Sequence, residues 1–215
     1  MIEKLIHQEE GKTLEFKRDL TSVQKILQTI VAFANTAGGT IVIGIENESP
    51  RIVGLQNILL EEERIASLIA DSITPQMLPR IEIHNYRNKE LMVIQVACAP
   101  GPFFIKKKGP RDGVYVRLGS TNRIADFATL TELERVKANV TFDSLPCLNQ
   151  SEEDIDWKHA QNLFLKHRNK SIEPQKNKNL GLLCSHMGKT YPSNAAILIF
   201  GQNRNIFPDA IVRCA

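Results

Sequence analysis

The run TIVIGIE at residues 40–46 constrains what this chain can fold into more than any other stretch. Apolar side chains fall on both of its alternating faces, and such a strand is satisfied only when structure covers it above and below. Upstream, in TSVQKILQTIVAFANTAGG, Val23, Ile26, Leu27, Ile30, Phe33 and Ala34 recur at helical spacing. Thr21 or Ser22 stands where an N-cap belongs, and Gly38–Gly39 can close the helix through a left-handed turn. Before the helix, GKTLEFKRDL contains a short alternating strand, 13–17, with Leu14 and Phe16 on one face and Glu15 and Lys17 on the other. Strand, helix and buried strand point to an α/β (α+β) domain, a mixed sheet with packed helices.

The later segments extend that pattern. RIVGL follows TIVIGIE across NESPR as the second arm of a hairpin. Ile58, Ile65, Leu68 and Ile69 predict a helix over about 58–72, stopped by TPQMLP. RIEIHNYRNKELMVIQVA reads as a hairpin turning at Arg87–Lys89. GPFFIKKKGPRDGVYVRLGSTNRIAD supplies short strands and a basic loop, and TLTELERVKANV a helix capped by Thr129 or Thr131. We therefore place a first domain at 1–140, a polar and acidic linker at 141–156, and the start of an incomplete C-terminal region at 157–215. In that region DWKHAQNLFLKHR is helical, NKSIEPQKNKN is a polar connection and NAAILIF is buried. The sequence stops in PDAIVRCA, a strand-like run, which predicts the front part of something longer.

Bulk charge decides little, since 27 Lys and Arg stand against 24 Asp and Glu. A polyanion partner would have to be read from where the cations cluster. Cys98, Cys147, Cys184 and Cys214 form no CxxC pair, and the histidines have no metal-ligand spacing, which argues against zinc and for reduced thiols in a cytoplasmic protein. MIEKLIHQEEGK is too polar for a signal peptide, and no apolar run reaches membrane-span length.

Three stretches invite chemistry. GLLCSHMGKT ends like a phosphate-binding P-loop, but the required first glycine would fall at Leu183 and no apolar strand precedes it. The basic segment is more informative. Lys106, Lys107, Lys108 and Arg111 fall close together, and Arg117, Ser120 and Arg123 follow, a mixture of cations and a hydroxyl suited to phosphate oxygens. Phe103, Phe104 and Tyr115 could add stacking for unpaired bases. The carboxylates make the rival case. If strands 13–17 and 40–46 are neighbours, Glu10, Glu15 and Glu46 could converge on Mg²⁺ or Mn²⁺ for phosphodiester cleavage, with Lys17 stabilising the transition state. The plain alternative is an exposed Glu15–Lys17 pair of little energetic weight.

GKTLEFKRDL, IVAFANTAGGTIVIGIENESPRIVGL and GVYVRLGSTNRIAD, in this order, resemble the Schlafen-type AlbA domain over about residues 8–138. That resemblance implies a nucleic-acid-binding domain of a bacterial transcriptional regulator or RecG-like helicase-related protein. In longer bacterial members, an ATPase-like region and often a winged helix follow. The resemblance also implies an enzymatic alternative, because a related animal domain is a metal-dependent endoribonuclease. It uses two glutamates five residues apart, matched here by Glu10 and Glu15, and a third acidic position that falls at Glu46 or Asn47. The animal nucleases have a duplicated, horseshoe-like arrangement that a single copy would reproduce by forming a homodimer. A dimerisation or protein-interaction module is the third reading.

Overall fold

The computed structural model describes residues 2–46, 51–168, 180–203 and 205–207. The chain forms two compact units, Met1–Ala138 and Asn139–Ala215. In the first, α1 (Ile2–Ile6) is followed by β1 (Leu14–Lys17), α2 (Val23–Ala34), β2 (Gly39–Ile43) and α3 (Ile58–Ser72). Then come β3 (Ile73–Thr74), β4 (Arg80–Tyr86), β5 (Lys89–Val96), β6 (Phe104–Ile105), α4 (Gly109–Asp112), β7 (Tyr115–Leu118), β8 (Thr121–Ile124) and α5 (Phe127–Lys137).

The central sheet has the order β1-β2-β5-β4, with β1 parallel to β2 and the other pairs antiparallel. It is the mixed sheet that the sequence predicts. Ile41, Val42 and Ile43 on β2 are fully buried. Ile41 and Ile43 face a large cluster built with α2 and α3, including Ile26, Ile30, Phe33, Ile65 and Ile69. Val42 faces the opposite cluster with Ile2, Ile6, Leu14, Phe16 and Leu91. Both faces of the strand are therefore covered, as its continuous apolar run requires.

Local chemistry sets the boundaries of the elements. Neither Thr21 nor Ser22 caps α2 with its side chain. Asp19 does the ordering work instead, accepting from the Thr21 N–H at 2.9 Å and the Thr21 hydroxyl at 2.5 Å. Those two bonds hold its carboxyl below the usual carboxylate range. The turn between β4 and β5 has φ of 50° at Arg87 and 59° at Asn88, the left-handed pair that two-residue hairpins favour. The hairpin expected around NESPR contracts to one antiparallel bridge, Ile45 to Ile52, and residues 47–50, Asn47 included, lie outside the described residues. Lys106–Lys108 form a 3₁₀ turn leading into α4, so the expected basic loop is helical. α5 begins earlier than predicted, because Asp126 rather than Thr129 or Thr131 is the cap; its side chain accepts from the Thr129 N–H at 2.8 Å.

In the second unit, α6 (Trp157–Arg168), β9 (Leu183–His186), β10 (Lys189–Pro192) and α7 (Asn194–Phe200) surround a small core of Ile155, Ala160, Leu182, Leu183, Ala196, Ile197 and Phe200. Much of the expected linker belongs to this unit. Cys147 and Ile155 are in its core, and Pro146 and Ile155 bridge to Ser193 and Gly201. The P-loop look-alike GLLCSHMGKT lies in the β9–β10 hairpin and its approach. The polar connection NKSIEPQKNKN and the terminal PDAIVRCA lie outside the described residues. No helix among the described residues is long and apolar enough to cross a membrane.

The Gly-Gly between α2 and β2 is a packing requirement. The Gly38 N–H donates to the Phe33 carbonyl at 2.9 Å with φ at +73°, and a Cβ there would lie 2.8 Å from the Val96 carbonyl oxygen. At Gly39 a Cβ would meet the Phe33 ring at 2.6 Å. Gly38→Ala should therefore lower the unfolding free energy by at least about 1–2 kcal/mol, the ordinary cost of a left-handed L-residue. Urea denaturation should show an earlier midpoint at unchanged slope.

Candidate nucleic-acid interface

The polar residues of the signature segments separate into two groups, one buried and one exposed. The buried group centres on Arg117. The predicted phosphate contact through this residue is corrected by its position, because the guanidinium is only 1% exposed. Its Nη2 donates to Glu15 Oε2 at 2.5 Å and to the Gly11 carbonyl at 2.9 Å, its Nε also reaches that carbonyl, and Nη1 donates to Asn122 Oδ1 at 2.9 Å. Its Cζ stands 5.1 Å from the centre of the Phe33 ring. Asn122 in turn donates to Thr29 Oγ1 at 2.8 Å. A single buried cation thus joins β1, α2 and the β7–β8 ribbon with its donors directed at fixed acceptors, as a forked guanidinium can.

Glu15 is the counter-charge, and its other oxygen accepts from the Lys17 ammonium. The expected Glu15–Lys17 pairing on one strand face is present, but it is not the exposed pair of the plain reading, since Glu15 is buried. β1 and β2 are indeed neighbours. The carboxylates expected to converge beside them are engaged separately. Glu10 Oε1 accepts from the Phe16 N–H at 2.6 Å, and Glu46 pairs with Arg18 at 3.1 Å. Among the described residues no three His, Cys, Asp or Glu side chains are grouped to hold a metal ion. Glu10, Glu15 and Glu46 as arranged do not fit a Mg²⁺ or Mn²⁺ site, and Lys17 neutralises Glu15 rather than facing open space.

Asn35, the asparagine of FANT, carries a second buried role that the sequence reading missed. Its Nδ2 donates to the carbonyls of Phe103 at 2.8 Å and Tyr115 at 3.0 Å, and its Oδ1 accepts from the Phe103 N–H at 2.8 Å. All three bonds replace ladder partners for backbone groups that would otherwise be buried unpaired. Their signal in the sequence is a lone amide at a helix end, which also reads as an ordinary C-cap.

The exposed group lies on the 106–111 turn and the outer face of the ribbon. Lys106, Lys107, Lys108, Arg111, Ser120 and Arg123 are all exposed. Lys106 donates to the Ala70 carbonyl at 3.2 Å, and Lys108 reaches the Tyr115 hydroxyl at 2.5 Å while lying 5.1 Å from the ring centre. None of these cations enters an ion pair among the described residues. The Ile105 N–H donates to the Gly113 carbonyl and the Ala125 N–H to the Val114 carbonyl, at 3.0 and 2.9 Å, which fastens the turn to the base of the ribbon. The predicted stacking residues are not available. Phe103 and Tyr115 are core residues, and Phe104 is half-buried on β6.

A β1–α2–β2 unit closed by Gly-Gly, with a ribbon latched to its edge strand, defines an α/β domain of one recognisable family. The chain belongs to the Schlafen, AlbA_2 family, which matches residues 10–126. Solved structures give more distant likenesses. The DIP2311 protein from Corynebacterium diphtheriae has 18% identity and a TM-score of 0.48, covering 93% of this chain and 45% of its own. The N-terminal domain of a protein described as related to the ATP-dependent DNA helicase RecG, from Nitrosomonas europaea, has 24% identity and a TM-score of 0.46. That likeness covers 59% of this chain and 91% of the domain. The chain thus spans less than half the length of the first of these proteins. No curated protein matches it.

Removing Arg117 should leave the buried Glu15 carboxylate with Lys17 as its one charged partner among the described residues. Arg117→Met is expected to cost about 3–5 kcal/mol of stability, the usual result of breaking a buried pair. Glu15→Gln added to Arg117→Met should recover part of the loss. A double-mutant cycle by chemical denaturation measures that coupling.

Proposed function

We propose that the unit over residues 1–138 binds DNA or RNA by its phosphate backbone. The contact surface consists of Lys106, Lys107, Lys108 and Arg111 on the turn, with Ser120 and Arg123 on the ribbon. The observation that carries this reading is that these cations are exposed and none is used in an ion pair among the described residues. Five cations with only Asp112 and Asp126 close by in sequence leave a local surplus of positive charge, although the whole chain is nearly balanced. Such a surplus attracts a polyanion and releases its counterions on contact. Membership in the Schlafen, AlbA_2 family agrees with it.

We further propose that this unit serves a cytoplasmic bacterial transcriptional regulator or helicase-related protein.

Binding should weaken steeply as salt rises. For each phosphate neutralised, the log–log slope changes by roughly 0.7 for a single strand and 0.9 for a duplex. The combined variant Lys107→Glu, Arg111→Glu and Arg123→Glu should lower the affinity and flatten that slope by about two or more. Fluorescence anisotropy over about 50–200 mM salt reads both quantities. An unchanged affinity and slope in a variant that keeps the wild-type circular dichroism spectrum would defeat the assignment.

A further inference from the structure

We propose that the strand held on this surface is unpaired, and that Phe127 is the platform on which one of its bases stacks; this rests on the phosphate-binding reading above. Phe127 is 85% exposed, against 65% for Leu118 and 54% for Ile124 on the neighbouring ribbon. It belongs to none of the core clusters, and among the described residues no other ring or cation stacks on it. An apolar ring this exposed gains little from burial.

Its position is nevertheless fixed by the backbone. Phe127 is the first residue of α5, immediately after Asp126, whose carboxylate is committed to the Thr129 N–H. Two residues earlier, the Ala125 N–H is bonded to the Val114 carbonyl at 2.9 Å, and the Val114 N–H is directed at the Arg111 carbonyl at 3.4 Å. The backbone at Ala125 therefore runs beside the end of the cationic turn. Phe127 is two residues beyond this junction, Arg111 is three residues before it, and exposed Arg123 is two residues before Ala125. The ring and the cations thus share one end of the ribbon, the combination of stacking platform and charge that a single strand requires. In a duplex the base faces are already occupied by their neighbours, so only an unpaired base offers a face to a lone aromatic side chain.

The test uses the full chain and anisotropy with oligothymidine and oligouridine strands of about twenty nucleotides, longer than the roughly 4–16 that a compact single-strand site covers. A duplex of equal length is measured in parallel. Wild type should prefer the strands to the duplex. Phe127→Ala should weaken strand binding about tenfold at an unchanged salt slope, leave the duplex affinity as it was, and be rescued by Phe127→Trp. The two strand chemistries separate a DNA preference from an RNA preference. If Phe127→Ala binds the strands like wild type while Lys107→Glu with Arg111→Glu still weakens both probes, stacking is overturned and phosphate binding survives. If the charge variants change nothing, or neither probe binds, the phosphate reading falls and the stacking proposal with it.

Discussion

The buried contact between Arg117 and Glu15 is the constraint on which the rest of the first unit depends. A guanidinium and a carboxylate have been taken out of water together, and the cost is tolerable only because Gly11, Asn122 and Lys17 engage what the pair leaves over. The ring of Phe33 covers the guanidinium, and Thr29 anchors Asn122. The edge strand, the first long helix and the C-terminal ribbon therefore meet at one ionic centre, while the apolar clusters form around it. Such a centre specifies as well as stabilises. Turning β7 over by one residue would put Arg117 into solvent and leave Glu15 facing the core with Lys17 as its remaining partner.

This allocation of charge also defines the surface. The cation that holds the fold together is consumed in an ion pair, and those on the 106–111 turn and at Arg123 enter none among the described residues. The same short region of sequence supplies both kinds, separated by strand alternation: Arg117 and Asn122 point inward as a cross-strand pair, and Val116 and Arg123 point outward as the next pair. A substitution at Arg117 would consequently affect the proposed nucleic-acid binding only through the fold, whereas one at Arg123 leaves the ionic centre untouched.

Periodicity made the framework legible. The helices over 23–34 and 58–72, the buried strand after Gly-Gly and the hairpin turning at Arg87 all declare themselves within a few residues of sequence. The ionic centre did not, because Glu15 and Arg117 lie 102 residues apart and nothing local marks a buried arginine. The pattern of β7 was misleading in itself. In VYVRL the regular apolar positions are Val114, Val116 and Leu118, which predicts Arg117 on the solvent side. Within the strand Tyr115 and Arg117 face inward instead, Arg117 bonded to Glu15, Gly11 and Asn122, while Val116 is half-buried and Leu118 exposed; of the three apolar positions Val114, just before the strand, is the buried one. The exposure of Phe127 was equally hidden, because a phenylalanine at the head of a helix ordinarily reads as core.

The reach of the Arg117–Glu15 contact has a consequence for synthesis. A chain emerging from the ribosome exposes β1, α2, β2 and the β4–β5 hairpin well before Arg117 appears, and domains generally fold as units during synthesis. Throughout that interval Glu15 has Lys17 but not its main counter-charge, and the α2 surface that the ribbon will cover remains open. The ionic centre thus cannot close until β7 has been made.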